Sequence, residues 1–122
     1  MVHRVLLADD VGELRALVRL TLERSGSFEV VAEAGNGEEA IEAAGSVQPD
    51  LVLLDVSMPV MDGLEALPLI LEASPGARVV MLSGFAEERL GDEARRLGAI
   101  AYLEKGVPPR ELVTRLLDVL GG

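Results

Sequence analysis

Asp9, Asp10, Asp55, Ser83 and Lys105 sit just beyond short apolar runs, and together they form a set able to do chemistry. The runs are Val5–Ala8, Leu51–Leu54, Val79–Leu82 and Ile100–Leu103, the last followed by Glu104 and then Lys105. A further run, Phe28–Ala32, leads only to Glu33 and offers nothing comparable. Acids converging at one edge repel unless a cation sits among them, so a bound metal or a shifted pKa is expected. Oxygen donors without His or Cys suit a hard ion, and a few carboxylates plus water suit Mg2+ better than a dedicated Ca2+ cage. A carboxylate can attack phosphorus and form an aspartyl-phosphate. Such transfer asks the protein mainly for positioning and charge neutralisation. Mg2+ and Lys105 would neutralise phosphoryl oxygens, and Ser83 would donate a hydrogen bond to another.

Each residue also has a plain structural reading. Asp10 with Glu13 fits a helix N-cap and capping box. Asp55 reads as an acid leaving a strand into a loop, Ser83 as a turn residue and Lys105 as a solvated charge. The conjunction favours a site.

The elements that must hold these residues follow from periodicity. The five apolar runs have four or five residues each and are rich in Val, Leu or Ile, so they read as buried strands. Leu14, Leu17, Val18, Thr21 and Leu22 form a helical stripe, repeated by Leu112, Val113, Leu116, Leu117 and Leu120. The stretches 37–46, 63–73 and 86–98 are further helices, richer in Ala, Leu and Glu. Ser25-Gly26 ends the first helix, and Gly98 closes the fourth. Pro49 and Ser74-Pro75-Gly76 precede the third and fourth strands. Asn36 with Glu39 is an N-cap with its capping-box partner. Alternating strands and helices with near-continuously apolar strands predict an α/β, doubly wound parallel sheet with helices on both faces. Ligands of such sheets bind beyond the carboxyl ends of the strands, where the polar residues fall.

Composition narrows the function classes. The 122 residues make one domain, spanning 1–122. With no cysteine, disulfides, thiolate metal sites and cysteine nucleophiles are excluded, and His3 alone cannot build a multi-histidine metal site. A net charge of −10 argues against direct contact with nucleic acid or an anionic membrane. Three aromatics, Phe28, Phe85 and Tyr102, leave the core to aliphatic residues. No apolar run approaches the ~20 residues of a membrane span and no signal-peptide h-region opens the chain, so a cytoplasmic location is expected.

Asp9-Asp10, Asp55, Ser83 and Lys105, with the strings Leu51-Val-Leu-Leu-Asp55-Val-Ser-Met-Pro59-Val-Met-Asp-Gly63 and Ala101-Tyr-Leu-Glu-Lys105, resemble the receiver domain of two-component response regulators. The resemblance runs through essentially the whole chain. It implies a flavodoxin-like fold: a five-stranded parallel sheet in order 2-1-3-4-5 flanked by five helices. It implies Asp55 as phosphoacceptor. Mg2+ would be held by Asp10, Asp55 and the backbone carbonyl of Ser57, with Asp9 acting through water. Lys105 would pair with a phosphoryl oxygen, and Ser83 would bond another after phosphorylation. Tyr102 matches the family's switch aromatic. As Ser83 moves toward the anion, Tyr102 would turn into the vacated space, and the face of the fourth helix, fifth strand and fifth helix would change. A strand Tyr that is half-buried with its hydroxyl reaching solvent is compatible with that role. Ser57 and Phe85 would tune the phosphoryl lifetime, although Phe85 equally fits packing on the start of the fourth helix.

The implied partners are a histidine kinase and an output domain or downstream protein, with a phosphorylation-dependent homodimer among the assemblies the resemblance allows. The chain is then a stand-alone receiver or a piece of a larger regulator. Receivers of this kind commonly precede helix-turn-helix output domains. Many receivers carry Lys-Pro after the fifth strand. Here Lys105 is followed by Gly106, with Pro108-Pro109 later, so the loop need not take the usual geometry.

Three other readings compete. Gly35-Asn-Gly37-Glu-Glu-Ala40 fits a dinucleotide fingerprint. However, Glu38 and Glu39 would meet a pyrophosphate with two negative charges. A Mg2+-dependent phosphohydrolase could use Asp55 as nucleophile, but Ser57 stands where a dehalogenase-like phosphatase has its general acid, and there is no cap domain. The last is a pseudo-receiver acting only as an interaction module. The filled site gives that reading little support.

Overall fold

The computed structural model describes residues 1–121. Strands and helices alternate: β1 (His3–Ala8), α1 (Gly12–Arg24), β2 (Phe28–Ala34), α2 (Gly37–Val47), β3 (Leu51–Leu54), α3 (Gly63–Ala73), β4 (Arg78–Ser83), α4 (Glu87–Arg96), β5 (Ala101–Glu104) and α5 (Pro109–Val119). The five strands form one parallel sheet in order β2-β1-β3-β4-β5. The expected α/β fold and strand order are therefore those of the molecule.

The sheet separates two aliphatic layers. Leu6, Ala8, Val52, Leu54, Val79 and Met81 face α2, α3 and α4. Val5, Leu7, Leu51, Leu53, Val80 and Leu82 face α1 and α5. Alternate residues of one strand feed opposite layers, which is why β3 is buried throughout and reads as an unbroken apolar run. In α1 the stripe buries Val18 and Leu22, while Leu17 stays exposed. In α5 it buries Leu112 and Leu116.

Several boundaries move. β2 extends to Ala34, so Glu33 lies inside an edge strand. Ile100 stands outside β5 and is exposed, donating its N–H to the Val79 carbonyl. The predicted cap on α2 forms: Asn36 accepts from the Glu39 N–H at 2.9 Å, and Glu39 reaches back to the Gly35 N–H at 2.8 Å. The corresponding cap on α1 does not. Its N-cap is Val11, whose N–H donates to Asp9 Oδ1 at 2.9 Å, leaving Asp10 out of the cap.

The fingerprint-like turn has a different purpose. The Gly37 N–H donates to the Met61 carbonyl at 2.9 Å, and a Cβ on Gly37 would meet that oxygen at 2.5 Å. The glycine admits the loop after β3 rather than a pyrophosphate.

Candidate functional site

β1 and β3 are adjacent, paired Ala8 with Leu54, so their next residues emerge side by side. The Asp55 N–H donates to the Ala8 carbonyl at 2.9 Å, extending the ladder to the acid itself. Asp9, Asp10 and Asp55 thereby bring one carboxylate oxygen each within 4.8 Å of one another. Asp9 and Asp55 are buried, Asp55 with 3% of its surface exposed, and Asp10 is exposed.

Lys105 arrives from β5, two strands away. Its backbone N–H donates to the Ser83 carbonyl at 2.7 Å, and its Nζ lies 2.9 Å from both Asp9 Oδ2 and Asp55 Oδ2. Burial is the largest influence on Asp55 and pushes its carboxyl above the ordinary value. The hydrogen bond and charge of Lys105 pull it back only partly. For Lys105 burial again acts first, downward. The hydrogen bonds Lys105 donates to Asp55 and Asp9 outweigh that, and the ammonium is held above its ordinary value.

Three carboxylates against one ammonium leave two negative charges, the deficit a divalent cation fills. The donors are all oxygen, and Lys105 pairs with Asp9 and Asp55 rather than with Asp10, the exposed member. This set fits Mg2+. Ser57 is exposed at the start of the loop after β3, where its backbone lies near the acids in sequence.

That loop is tightly built. A Cβ on Gly63 would sit 1.9 Å from the Asp55 carbonyl oxygen, so only glycine permits this approach of α3 to β3. The Gly63 N–H donates to the Val56 carbonyl at 2.8 Å, and Asp62 caps α3 by accepting from the Glu65 N–H. Between them the Met61 N–H donates to the Pro59 carbonyl at 2.7 Å around Val60, whose φ is 70°. This is a γ-turn of the rare positive-φ kind, with a β-branched residue at its strained centre.

On the other side of the site, Ser83 is fully buried at the end of β4, and its Oγ accepts the Phe85 N–H at 3.1 Å. The Phe85 carbonyl in turn accepts the Tyr102 hydroxyl at 2.8 Å. One peptide segment is thus held at both ends by the two residues assigned to the switch. Tyr102 is only 2% exposed. It is buried rather than half-buried, and its hydroxyl is bonded to the Phe85 carbonyl. The Phe85 ring, 37% exposed, lies against the start of α4, where the Arg89 guanidinium stands 5.6 Å from its centroid.

After Lys105 the chain turns through Gly106 at φ 98°, a left-handed conformation open to glycine, and Pro109 opens α5.

Two functional neighbours escape a sequence reading. Arg15 Nη1 donates to the Asp9 carbonyl, and Arg15 Nε meets Glu33 Oε1 at 3.0 Å. Glu33 Oε2 pairs with Arg19 at 2.8 Å. Glu33 belongs to β2, so the acid set aside as uninformative is tied to the site's edge.

The receiver-domain resemblance now meets independent comparisons. The response regulator receiver domain family matches residues 5–117. Chemotaxis protein CheY of Bacillus subtilis is 39% identical over 105 residues, covering 86% of this chain and 87% of that protein. The nitrate/nitrite response regulator protein NarL of Escherichia coli is 40% identical over 118 residues, 97% of this chain but 55% of NarL. Among solved structures, the signal receiver domain of the putative response regulator NarL from Mycobacterium tuberculosis superposes with a TM-score of 0.91 at 34% identity, covering 99% and 98% of the two chains. With that family matching residues 5–117 and a relative 39% identical over most of both chains, the chain belongs to the response regulator receiver domain family of two-component signalling.

Proposed function

We propose that Asp55 accepts a phosphoryl group from a phosphohistidine of a histidine kinase, or from a small acyl phosphate, and that the chain relays this charge to its α4–β5–α5 face. One Asp55 carboxylate oxygen attacks phosphorus, forming the acyl phosphate P–O bond as the bond to the donor nitrogen or oxygen breaks. The leaving group carries away the electron pair of that bond. Asp10, Asp55 and the Ser57 carbonyl, with Asp9 through water, would hold Mg2+, which would supply neutralisation of phosphoryl charge. Lys105 turns from the carboxylates to a phosphoryl oxygen. The observation that carries the reading is the Lys105 Nζ at 2.9 Å from both Asp9 and Asp55, which places the one ammonium where new negative charge would develop.

Ser83 is the sensor of that charge. Its hydroxyl supports the Phe85 N–H, while Tyr102 supports the Phe85 carbonyl, so a Ser83 drawn toward the phosphoryl group loosens one end of a segment leading into α4. The change in Tyr102 is thus a change of partner or register on Phe85, with the ring already inside. Ser57 and Phe85, both exposed, act on the acyl phosphate lifetime through access of water.

The catalysis is confined to the chain's own phosphorylation and dephosphorylation. A histidine kinase and an output domain or downstream protein are its partners, and contact with nucleic acid falls to such a partner. No helix among the described residues is long and apolar enough to cross a membrane, which agrees with work in the cytoplasm. One related structure is the CheX–CheY–BeF3–Mg2+ complex from Borrelia burgdorferi. Acetyl phosphate with Mg2+ should add the mass of one phosphoryl group to this protein, and Asp55→Asn should abolish it. An unlabelled wild-type chain, or an equally labelled Asp55→Asn, would overturn the assignment.

A further inference from the structure

The three acids are secured unequally. Asp55 continues the β1–β3 ladder, and Asp9 spends its carboxylate on the Val11 N–H and Lys105. Asp10 is exposed and follows β1 at the point where regular pairing ends, beyond the Asp9 N–H bond to the Ala34 carbonyl. What orients it is the peptide joining it to Asp9, because that unit is planar and a fixed carbonyl fixes the Asp10 nitrogen and Cα. That carbonyl accepts Arg15 Nη1.

Arg15 is anchored in turn. Its Nε is 3.0 Å from Glu33 Oε1, and Arg19 holds the other Glu33 oxygen at 2.8 Å. A guanidinium that reaches the Asp9 carbonyl with no anion of its own would be drawn to the site's carboxylates in competition with a cation. Glu33 supplies the competing anion from the neighbouring strand, so Arg15 reaches the Asp9 main chain and leaves Asp10 to a metal. The planar fork lets one side chain serve both partners, which a lysine ammonium cannot do in the same geometry.

We propose that Arg15, anchored by Glu33, is a positioning residue for the divalent-cation site, setting the Asp9–Asp10 peptide so that Asp10 converges on Asp9 and Asp55. The inference rests on the receiver-site reading above. Supporting residues of this kind change metal affinity by about 10–100-fold when removed.

The test is Mn2+ binding to the full chain, read from the electron paramagnetic resonance signal of free Mn2+, beside metal-free thermal unfolding and labelling by acetyl phosphate. Arg15→Met should weaken Mn2+ about tenfold while saturating Mg2+ restores the extent of labelling. Arg15→Lys should recover only part of the affinity. Glu33→Gln should weaken Mn2+ severalfold, and Arg19→Met should leave it within twofold of wild type. An Arg15→Met protein that loses stability but binds Mn2+ as wild type does would overturn the proposal. Should Arg15→Met not fold, an unchanged affinity in Glu33→Gln overturns it equally. Wild-type protein that binds no Mn2+ removes the receiver-site reading and the clamp with it, whereas wild-type binding matched by Arg15→Met removes the clamp alone.

Discussion

α3 and α4 cover the same face of the sheet, yet they are anchored in different ways. α3 buries Gly63, Ala66, Leu67 and Ile70 and locks its first residue against the Asp55 carbonyl. α4 buries only Gly91 and Ala94, and the remainder of its ten residues is largely charged, with Glu87–Arg95 and Arg96–Glu93 pairs along its surface. The segment entering α4 depends on two hydrogen bonds at Phe85, whose N–H donates to Ser83 Oγ and whose carbonyl accepts the Tyr102 hydroxyl. The difference separates a fixed side, which holds the acids, from a lightly held side, which can answer a new charge. A signalling domain needs both, since a site mounted on the mobile side would lose its geometry on responding.

The largest expected effect breaks the fixed side. Gly63→Ala places a methyl 1.9 Å from a backbone oxygen, so strand or helix must move, at a cost of about 3 kcal/mol in urea unfolding, the upper range for overpacking. Gly91→Ala in α4 meets only the Glu87 Cγ at 2.8 Å and the end of Arg95. There the gain in helix propensity of about 1 kcal/mol roughly offsets the displaced side chain. Equal losses in the two variants would erase the comparison. Core truncation should rank likewise: Leu67→Ala, fully buried, costs about 3 kcal/mol, against about 1 kcal/mol for the partly buried Leu90→Ala.

Asp55→Asn should stabilise the metal-free protein. The folded carboxyl sits above its ordinary value near 3.8, so the ionised form is disfavoured. The stability tied to the protonated form is present below the unfolded value and lost as pH rises through the folded one. At pH 7 the amide escapes that loss, and Tm should rise. The gain should shrink as pH falls through the raised folded value and be gone below the ordinary value near 3.8, a profile read by calorimetry across pH.

The smallest effect concerns the turn between the acids and α3. Val60 is 73% exposed at φ 70°, so its side chain contributes strain and little packing. Val60→Gly should stabilise by about 0.5–1 kcal/mol, relief of strain outweighing added chain entropy. A destabilised Val60→Gly would mean that the loop does not store that strain.

Most of the fold was legible because buried parallel strands must be apolar on both faces, and runs such as Leu51–Leu54 announce themselves. The core of the site was legible for the same reason, since polar residues at the carboxyl ends of such strands fall on one edge. Arg15 and Glu33 were not, because their bond spans 18 residues and exists only through the pairing of β1 with β2. Tyr102 was placed correctly in β5 but not in depth, which depends on the Phe85 carbonyl that local sequence does not reveal. Asp10 looked like a helix cap because its type and spacing fit; the competing Asp9–Val11 bond decided otherwise.

The central claim is that charge at Asp55 is felt through Phe85 by α4 and not by α3. Amide hydrogen exchange, followed by mass spectrometry before and after acetyl phosphate with Mg2+, tests it most directly. Peptides covering 83–96 should change their exchange rates on phosphorylation, while those covering 63–73 should stay as they were. Unchanged exchange in 83–96 of a fully phosphorylated chain, or an equal change in both helices, would contradict it.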